Sequence, residues 1–344
     1  MLNALILAGG VGKRFWPKST SIKPKQFQKI IGNKTMIQQT FERISRLVPE
    51  ERIFVIVAKE HQTIVSEQLE LSKSNILVEP KGRNTAAAIA LGIRNLNSND
   101  VAIALPSDHY IPDIDRFIFT LRTATSFAAN KPVIVTLGIK PTRPETGYGY
   151  IEVDPEHLKT MGGTIASSPI PVKRFHEKPD LETAKSYLAS GNFFWNSGIF
   201  IFIFRVDTMW NAFEKYMPRL YELFKSSRTI EEVYDLLEPV SIDYGVMEKA
   251  QNIYMIPANF TWSDVGSWDA VYELGQKDEN GNHSQARVAI FKNSKNCAVF
   301  AEGKRVVVAN LEDVIVVAEN NDILVIRRGT TQDVKDIELP NTSG

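Results

Sequence analysis

Cysteine is almost absent from this 344-residue chain, which contains Cys297 alone. A single cysteine cannot form a disulfide within the chain, so nothing points to an oxidising compartment. The five histidines are scattered without a Cys/His spacing pattern, which argues against a structural zinc site. No apolar run approaches the roughly 18 residues that a membrane-spanning helix needs. The sequence therefore predicts a soluble, cytoplasmic protein.

An excess of charge of one sign is also missing. Lys+Arg and Asp+Glu both number 40, and the formal net charge is zero. This balance gives no support for binding of nucleic acid or anionic lipid through a net positive charge of the whole protein, so any anion-binding site must be local. The apolar start MLNALILAGG lacks the basic residues of a secretion signal and runs into glycines, which indicates a first strand.

The first half of the chain has the alternation of an α/β protein. Short β-branched runs alternate with longer segments of helical periodicity, as an open sheet with crossover helices requires. Strands are predicted at residues 2–8, 53–58, 75–79, 101–105 and 132–139. Helices are predicted at residues 34–48, 61–71, 84–97 and 114–129. After residue 147 the pattern changes to strands at 150–153, 172–177 and 199–204 and a helix at 181–189 that Asp180 would cap.

The polar stretch 276–284 (QKDENGNHS) is the best linker, because it has turn-forming residues and no apolar period. Short strands with turns between them follow, at residues 288–291, 298–301, 305–309, 314–318 and 323–326. We interpret them as a small β-rich domain, β-solenoid-like, whose apolar strands form a candidate dimer surface. The predicted domains are thus 1–275 and 285–344.

A glycine-rich turn follows the first predicted strand (GGVGKR), and its glycines are Gly9, Gly10 and Gly12. Glycine lets backbone N–H groups approach an oxyanion with no Cβ in the way, as in a phosphate cradle. The turn is not a Walker loop, because Arg14 follows the lysine, and Phe15 replaces the third glycine of the dinucleotide fingerprint. On the glycines alone, a phosphate cradle and a tight structural turn are equal alternatives.

Local charge favours the phosphate cradle. Residues 1–41 contain seven Lys or Arg residues and no Asp or Glu, in a chain that is otherwise balanced. Seven cations uncompensated in local sequence around a glycine turn favour a polyphosphate ligand. Pro17 and Pro24 restrict the segment that holds Arg14 and Lys25, which lowers the entropy lost when those side chains engage a ligand.

Two aspartates are candidate Mg²⁺ ligands. Asp108 follows the predicted strand 101–105, and open sheets place ligand groups at the carboxyl ends of their strands. A lone hard carboxylate suits Mg²⁺, which keeps several waters and takes ligands from phosphates, although a turn or helix-cap role is the ordinary alternative. Asp264, within WSDVGSW, is a second carboxylate that would complete a Mg²⁺-nucleotide site.

Glu79 is a candidate for reading a nucleotide base. Guanine presents two adjacent donors on its Watson–Crick edge, and one carboxylate can accept both, whereas adenine presents no such pair. We therefore hypothesise that Glu79 reads guanine. Asn84 or Thr85, a few residues later, is expected to cap the helix that follows.

Three later segments combine aromatic rings with hydrogen-bonding and cationic side chains: ETGYGY at 145–150, FHEKP at 175–179 and WNSG at 195–198. A sugar needs donors and acceptors for its hydroxyls near aromatic rings, and a sugar phosphate adds a demand for a cation. Each segment alone also has an ordinary explanation as a turn, a surface ion pair or a core aromatic. His109 and His176 have no partner spacing that nominates a nucleophilic triad.

Together these motifs resemble the sugar-nucleotide pyrophosphorylases, and most of all the bacterial mannose-1-phosphate guanylyltransferases. The matching segments occur in the family's order at residues 7–17, 24–27, 79–86, 106–109, 175–179, 195–200 and 262–268. The resemblance implies a nucleotidyltransferase-type α/β domain with an open, mixed, mainly parallel sheet flanked by helices, followed by a short β-rich tail. Longer members carry a cupin-type isomerase domain; this chain ends too early for one, so isomerase activity is not expected.

The resemblance also implies roles for individual residues. Catalytic roles fall on Arg14, Lys25 and Lys178. Nucleotide-binding roles fall on Gly9, Gly10, Gly12, Glu79, Arg83 and Asn84. Sugar-phosphate-binding roles fall on Gly147, Glu177, Lys178 and Asn196. Asp108 and Asp264 would bind the metal.

The implied reaction joins GTP and mannose 1-phosphate to give GDP-mannose and pyrophosphate with Mg²⁺. A sugar-phosphate oxygen attacks the α-phosphorus in line. Because this nucleophile is already an anion, no general base is required, and catalysis is positioning plus charge stabilisation. The alternatives are a glucose-1-phosphate thymidylyl- or uridylyltransferase, or a catalytically silent sugar-nucleotide-binding regulatory subunit. A homodimer is the expected assembly.

Overall fold

The computed structural model describes residues 1–10, 12–160, 168–196 and 201–337, apart from the side chains of 159 and 160. The chain groups into two compact units, each built from several segments. The first unit consists of Met1–Gly9, Gln38–Ser107 and Ile111–Trp262. The second unit consists of Gly10–Ile37, Asp108–Tyr110 and Ser263–Gly344. The predicted division into domains 1–275 and 285–344 stays a prediction.

The first unit is built on a sheet that has ten strands among its described residues. The strands are β1 (Leu2–Leu7), β2 (Ile53–Ala58), β3 (Ile76–Glu79), β4 (Val101–Pro106), β5 (Ile134–Ile139), β6 (Tyr150–Val153), β7 (Ile170–His176), β8 (Phe193–Asn196), β9 (Phe202–Arg205) and β10 (Ile253–Pro257). Their order is β10-β7-β6-β8-β5-β9-β4-β1-β2-β3. β1 is buried along almost its whole length, as expected for a strand covered on both faces.

The strands predicted in the first half of the chain are all confirmed, to within about two residues at their ends. The predicted strands at 150–153 and 172–177 join the same sheet, as β6 and β7. The start of the strand predicted at 199–204 lies outside the described residues, and β9 covers its end.

The structure describes α-helices along the chain, the last of which lies in the second unit. They are α1 (Met36–Ile44), α2 (Gln62–Gln68), α3 (Asn84–Ile93), α4 (Ile114–Asn130), α5 (Pro155–Thr160), α6 (Leu181–Ser190), α7 (Val206–Tyr216), α8 (Pro218–Lys225), α9 (Ile230–Leu236) and α10 (Trp268–Leu274). The predicted cap of α6 is confirmed, because Asp180 Oδ1 accepts a 2.8 Å hydrogen bond from the Thr183 amide. No helix in the described part of the chain is long and apolar enough to cross a membrane.

The sheet is mixed, but the expectation that it is mainly parallel is wrong. β3, β2, β1 and β4 are parallel neighbours, and β5 is parallel to β10. The remaining six strand pairings among the described residues are antiparallel. The crossover pattern that predicts parallel strands holds only for the first half of the chain. The direction of the later strands depends on which partner each one meets, and periodicity along a single strand does not report this.

The second unit contains the β-rich C-terminal segment. Its strands are β11 (His283–Ser284), β12 (Val288–Lys292), β13 (Ala298–Phe300), β14 (Arg305–Ala309), β15 (Val314–Glu319) and β16 (Asp322–Arg327). β11, β13 and β15 pair in parallel, β12 pairs in parallel with β14, and β16 turns back antiparallel to β15. Alternate residues of β13 face opposite sides: Phe300 stacks on Trp268, and Val299 packs in a second cluster with Val308.

Candidate active site

The glycine turn of residues 9–14 is held against the segment that carries Lys25. Gly12 has a φ of +64°, and a Cβ at this position would lie 2.7 Å from the Cβ of Lys25. Glycine is therefore required at position 12 for both backbone conformation and space. Gln26 Nε2 donates a 3.1 Å hydrogen bond to the carbonyl oxygen of Gly10. The backbone of the turn, with Gly9 and Gly10 exposed, is thus fixed in place.

Lys25 connects three segments that are far apart in the sequence. Its side chain is buried, since the residue is only 5% exposed. Its Nζ lies 2.9 Å from Asp108 Oδ2 and donates a 2.6 Å hydrogen bond to the backbone carbonyl of Asp264. The structure therefore brings together Lys25, Asp108 and Asp264, three of the predicted catalytic and metal-binding residues.

A short antiparallel bridge explains why the two aspartates are neighbours. The amide of Tyr110 donates to the carbonyl of Ser263 at 2.9 Å, and the amide of Ser263 donates back at 3.0 Å. Asp108 lies two residues before this bridge and Asp264 one residue after it. Backbone pairing thus places residues 108–110 beside residues 263–264.

The charge of Asp108 is stabilised by its neighbours. Burial alone would raise the pKa of this carboxyl, but the charges of Lys25 and His109 and the Lys25 hydrogen bond hold the pKa below its ordinary value. Asp108 is therefore ionised at neutral pH, as a hard oxygen ligand must be. The described residues contain no group of three or more His, Cys, Asp or Glu that could hold a metal. Mg²⁺ needs only one or two carboxylates, because phosphates and waters complete its coordination.

The backbone is strained at three predicted motif positions. Val265, next to Asp264, has a φ of +48°, a conformation that a β-branched residue rarely adopts. Lys178 and Asn84 also have positive φ values, of 44° and 66°. Strain of this kind costs on the order of 1–3 kcal/mol and is concentrated at functional sites in proteins. It supports a functional role for these three segments.

The seven N-terminal cations have different environments. Lys18 is buried and donates a 3.1 Å hydrogen bond to the backbone carbonyl of Lys29. Burial lowers the pKa of Lys18, and the nearby charges of Glu319 and Glu302 offset part of this effect. Arg14 is exposed and has no hydrogen bond or ion pair within the described ranges, so it is available to a ligand.

Glu79 ends β3 with a buried carboxyl group, and the residue is 8% exposed. Tyr234 on α9 donates a 3.1 Å hydrogen bond from its hydroxyl to Glu79 Oε1. Burial raises the pKa of Glu79 to about 7, against the lowering effect of that hydrogen bond. Burial and the adjacent Glu79 charge raise the pKa of Tyr234, so the phenol stays protonated and remains a donor.

Arg83 contacts the backbone of the same tyrosine. Its Nε donates a 2.8 Å hydrogen bond to the backbone carbonyl of Tyr234. Sequence reasoning missed Tyr234, because an aromatic residue at helical spacing on α9 gives no signal beyond that of a core residue. The three residues form one connected group in the first unit.

The expectation that Asn84 or Thr85 caps α3 is wrong. The helix begins at Asn84, and the residue at the cap position is Arg83, whose side chain makes no capping hydrogen bond. Asn84 Oδ1 accepts from the adjacent Thr85 amide at 2.8 Å. The hydroxyl of Thr85 accepts from the amide of Ile242 at 2.9 Å, so a tertiary contact uses the side chain that the capping hypothesis required.

Glu177 and Asn196 both lie close to Gly149. A Cβ on Gly149 would be 2.7 Å from Glu177 Oε2, and the amide of Asn196 donates to the Gly149 carbonyl at 2.9 Å. Thr136 donates to Asn196 Oδ1 at 3.1 Å. Glu177 Oε2 and Asn196 Nδ2 are buried and have no hydrogen-bond partner in the described part of the chain. Two unpaired groups of opposite hydrogen-bonding character, one acceptor and one donor, suit a hydroxyl-bearing ligand.

Lys178 and Gly147 are the other residues predicted to bind the sugar phosphate. Lys178 Nζ forms an ion pair with Glu177 Oε1. Burial would lower the pKa of Lys178, but its hydrogen bond to Glu177 and the charge of that residue raise it, so the ammonium persists. Gly147 is exposed, and its amide donates to Glu145 Oε1 at 3.0 Å. Of the predicted segment 195–198, Ser197 and Gly198 lie outside the described residues.

Comparisons with known proteins show the family to which the chain belongs. Residues 3–281 match the family described as nucleotidyl transferase. The chain is 40% identical over 353 residues to a mannose-1-phosphate guanylyltransferase from Salmonella montevideo, covering 98% of this chain and 73% of that protein. The alginate biosynthesis protein AlgA from Pseudomonas aeruginosa is 35% identical, with 97% and 70% covered. A crystal structure described as mannose-1-phosphate geranyltransferase from Thermus thermophilus has a TM-score of 0.86 and 32% identity, covering 97% of both chains.

Proposed function

The chain belongs to the nucleotidyl transferase family, and we propose that it transfers GMP from GTP to mannose 1-phosphate, which yields GDP-mannose and pyrophosphate. The near full-length similarity to mannose-1-phosphate guanylyltransferases supports this substrate pair. The structural observation that carries the proposal is the contact of one buried ammonium, Lys25, with Asp108 and the Asp264 backbone. Cations and carboxylates in contact at a glycine turn are the parts that phosphoryl-group transfer needs.

The phosphate side of the proposal rests on the glycine turn and its cations. The backbone amides of Gly9, Gly10 and Gly12 would cradle the GTP phosphates. Arg14 and Lys25 would hold the departing β- and γ-phosphates as charge moves onto pyrophosphate. Asp108 and Asp264 would bind Mg²⁺, which when bound neutralises charge on phosphate oxygens. The oxygen donors and the ionised state of Asp108 fit this ion.

The base side of the proposal rests on Glu79. Its carboxylate would accept the N1–H and N2–H donors of guanine, with Oε1 also accepting from Tyr234. A carboxylate oxygen has room for more than one donor, so the tyrosine does not exclude the base. Arg83 would act by positioning Tyr234, and the strained turn at Asn84 would shape the segment beside the base.

The sugar side of the proposal rests on the group around Gly149. Glu177 and Asn196 would bind hydroxyls of mannose through their unpaired atoms, beside the exposed turn at Gly147. Lys178 would hold the incoming phosphate, whose oxygen attacks the α-phosphorus in line while the bond to pyrophosphate breaks. Because that oxygen is already anionic, no residue has to remove a proton. Positioning and charge stabilisation then account for the rate.

A substrate panel tests the proposal. Purified protein would be offered GTP, ATP, CTP and UTP or dTTP with mannose, glucose or fucose 1-phosphate, and pyrophosphate release would be measured with Mg²⁺. The expected result is release with GTP and mannose 1-phosphate well above every other pair. Preference for glucose 1-phosphate with UTP or dTTP would favour the thymidylyl- or uridylyltransferase alternative, and no release with any pair would favour a silent regulatory subunit.

We also propose that residues 285–344 form a β-solenoid-like domain that mediates a homodimer. The in-register parallel pairs Val288 with Arg305 and Ala298 with Ile315 support successive coils. On the β12–β14 sheet, the paired residues Ile290 and Val307 are 53% and 65% exposed. Adjacent exposed apolar side chains of this kind are typical of a protein–protein interface. Light scattering should show a dimer that Val307→Glu weakens and that Lys335→Glu, at an exposed position outside β12 and β14, leaves intact.

A further inference from the structure

Asp243 is a buried carboxylate that none of the predicted motifs includes. It opens a short π-helical segment, Asp243–Met247, and is only 3% exposed. Its Oδ1 has no hydrogen-bond partner among the residues that the structure describes. An unpaired buried carboxylate oxygen is costly, and a donor from a ligand would remove that cost. π-helical turns are rare and occur often at functional sites.

Glu177, Lys178 and the exposed Glu248 are charged neighbours of Asp243. Burial raises the pKa of Asp243 to about 7, the Glu177 charge adds to this, and Lys178 acts in the opposite direction. The charge of Asp243 in turn helps to raise the pKa of Lys178. Glu177 Oε2 is also buried without a partner in the described ranges. Asp243 and Glu177 therefore each have a buried oxygen without a partner in the described ranges, and the charges of both act on the Lys178 ammonium.

The chemistry of this group favours neutral O–H donors over a metal ion. Lys178 already supplies a cation to Glu177 Oε1, so a divalent ion would meet a like charge. Hydroxyl groups can satisfy both free carboxylate oxygens without adding charge. Tyr244, directly after Asp243, is 52% exposed and offers an aromatic surface beside the exposed Lys178. Several hydroxyls, an apolar ring face and an anionic group together describe a sugar phosphate.

We propose that Asp243 is a sugar-binding residue, whose carboxylate accepts a hydroxyl hydrogen of mannose 1-phosphate as the second carboxylate of the site beside Glu177. The inference rests on the proposed function and names a contact that function does not itself require. All its residues lie in the first unit, between Ile111 and Trp262. Lys178, whose backbone has a φ of +44°, is tied to Glu177 by the ion pair with Oε1.

Asp243→Asn tests the contact with little change in shape. We expect kcat/KM for mannose 1-phosphate to fall about 10- to 100-fold, because a hydrogen bond to a charged acceptor is replaced by one to a neutral amide. The KM for GTP should stay within about twofold of the wild-type value. Glu248→Gln is the matched control, since Glu248 is an exposed carboxylate just after the same segment and near Glu177. It should change neither constant by more than about twofold.

Deoxy analogues of mannose 1-phosphate identify the hydroxyl. The wild-type enzyme should discriminate against one of the 2-, 3-, 4- and 6-deoxy analogues because of Asp243, and Asp243→Asn should lose that discrimination while keeping the others. If Asp243→Asn does not fold, Asp243→Ser, which keeps a smaller hydroxyl acceptor, should show the same selective loss. A merely structural role for Asp243 would lower activity with every analogue alike.

The outcomes separate the inference from the proposed function. An active wild-type enzyme with an Asp243→Asn variant that keeps full discrimination and a normal kcat/KM would overturn the role of Asp243 alone. A selective rise in the KM for GTP would also overturn it. Wild-type protein that makes no GDP-mannose from GTP and mannose 1-phosphate would overturn the proposed function itself.

Discussion

Lys25 Nζ lies 2.9 Å from Asp108 Oδ2, although 83 residues separate the two in the chain. The same Nζ donates to the backbone carbonyl of Asp264, 239 residues away. One buried cation thus joins the segments that supply the proposed phosphate and metal ligands. All three residues lie in the second unit, so we expect substitutions at this contact to lower nucleotide turnover and to leave the sheet of the first unit folded.

Lys25→Ala should lower kcat/KM for GTP by on the order of 100-fold or more, because an electrostatic contact to the departing phosphates is lost. Steady-state kinetics with mannose 1-phosphate at saturation measures this. Lys29→Ala is the control, since Lys29 is an exposed lysine of the same segment. Rates for Lys25→Ala close to the wild-type rate would remove Lys25 from the phosphate site.

Asp264→Asn should raise the Mg²⁺ concentration that gives half-maximal velocity by at least about tenfold, because an amide is a weaker ligand than a carboxylate for a hard cation. Velocity titrated against Mg²⁺ measures the shift. Asp333→Asn, at an exposed position in the same unit, should leave the titration unchanged. An unaltered Mg²⁺ requirement in Asp264→Asn would show that this carboxylate does not bind the metal.

Guanine recognition by Glu79 should weaken on acidification. The pKa of Glu79 is raised to about 7, so the carboxylate that accepts guanine donors is lost as pH falls through neutrality. Between pH 8 and pH 6 its ionised fraction falls about tenfold, and the KM for GTP should rise by a similar factor. Glu79→Gln should lose this pH dependence together with the preference for GTP. A preference for GTP that survives the substitution would show that another group reads the base.

Glu79 should also make stability depend on pH. A carboxyl pKa raised from 4.5 to about 7 on folding favours the native state below pH 4.5, and this contribution is lost as pH rises through 7. Glu79→Gln removes the buried charge, so at pH 8 its free energy of unfolding should exceed that of the wild type by up to roughly 3 kcal/mol. Denaturant unfolding at pH 8 and pH 4 tests this, with the difference expected to vanish at pH 4.

Gly12→Ala should damage the site through two effects. A φ of +64° strains any L-residue, and the new Cβ would meet Lys25 Cβ at 2.7 Å. Gly32→Ala is a matched control, because Gly32 has a φ of +75° but open space around it. Both variants should lose about 1–2 kcal/mol of stability from backbone strain. Only Gly12→Ala should also lose about tenfold or more in kcat/KM for GTP; equal kinetics in the two variants would contradict a role for the Gly12–Lys25 contact.

Local pattern predicted much of the first half of the sheet. The strand at 53–58 has its predicted bounds, because a β-branched run between turn residues specifies a buried strand without help from distant residues. Local pattern predicts no element for residues 206–257, where the structure has α7, α8, α9 and β10. Local pattern predicts a mainly parallel sheet, whereas β9 pairs antiparallel to β4. Strand direction depends on contacts that only the folded chain makes.

Local sequence pattern also does not identify Asp243 as a candidate for the proposed sugar-binding site. Its neighbours in sequence are apolar or aromatic, and nothing local distinguishes it from an ordinary helical aspartate. Its proximity to Glu177 and Lys178 depends on how the π-helical segment packs in the first unit. Likewise, Glu79 became a candidate from the chemistry of a carboxylate, whereas its hydrogen bond from Tyr234 spans 155 residues.

The sequence by itself determined which chemical groups are present and in what local setting: a glycine turn, a cation-rich segment without acids, and aspartates next to turns. Tertiary structure alone decided which cation meets which carboxylate, and which carboxyl groups hold a proton near neutral pH. Contacts and burial set both, because Coulomb energy depends on distance and the cost of a charge depends on its access to water. Neither quantity can be read from residue order.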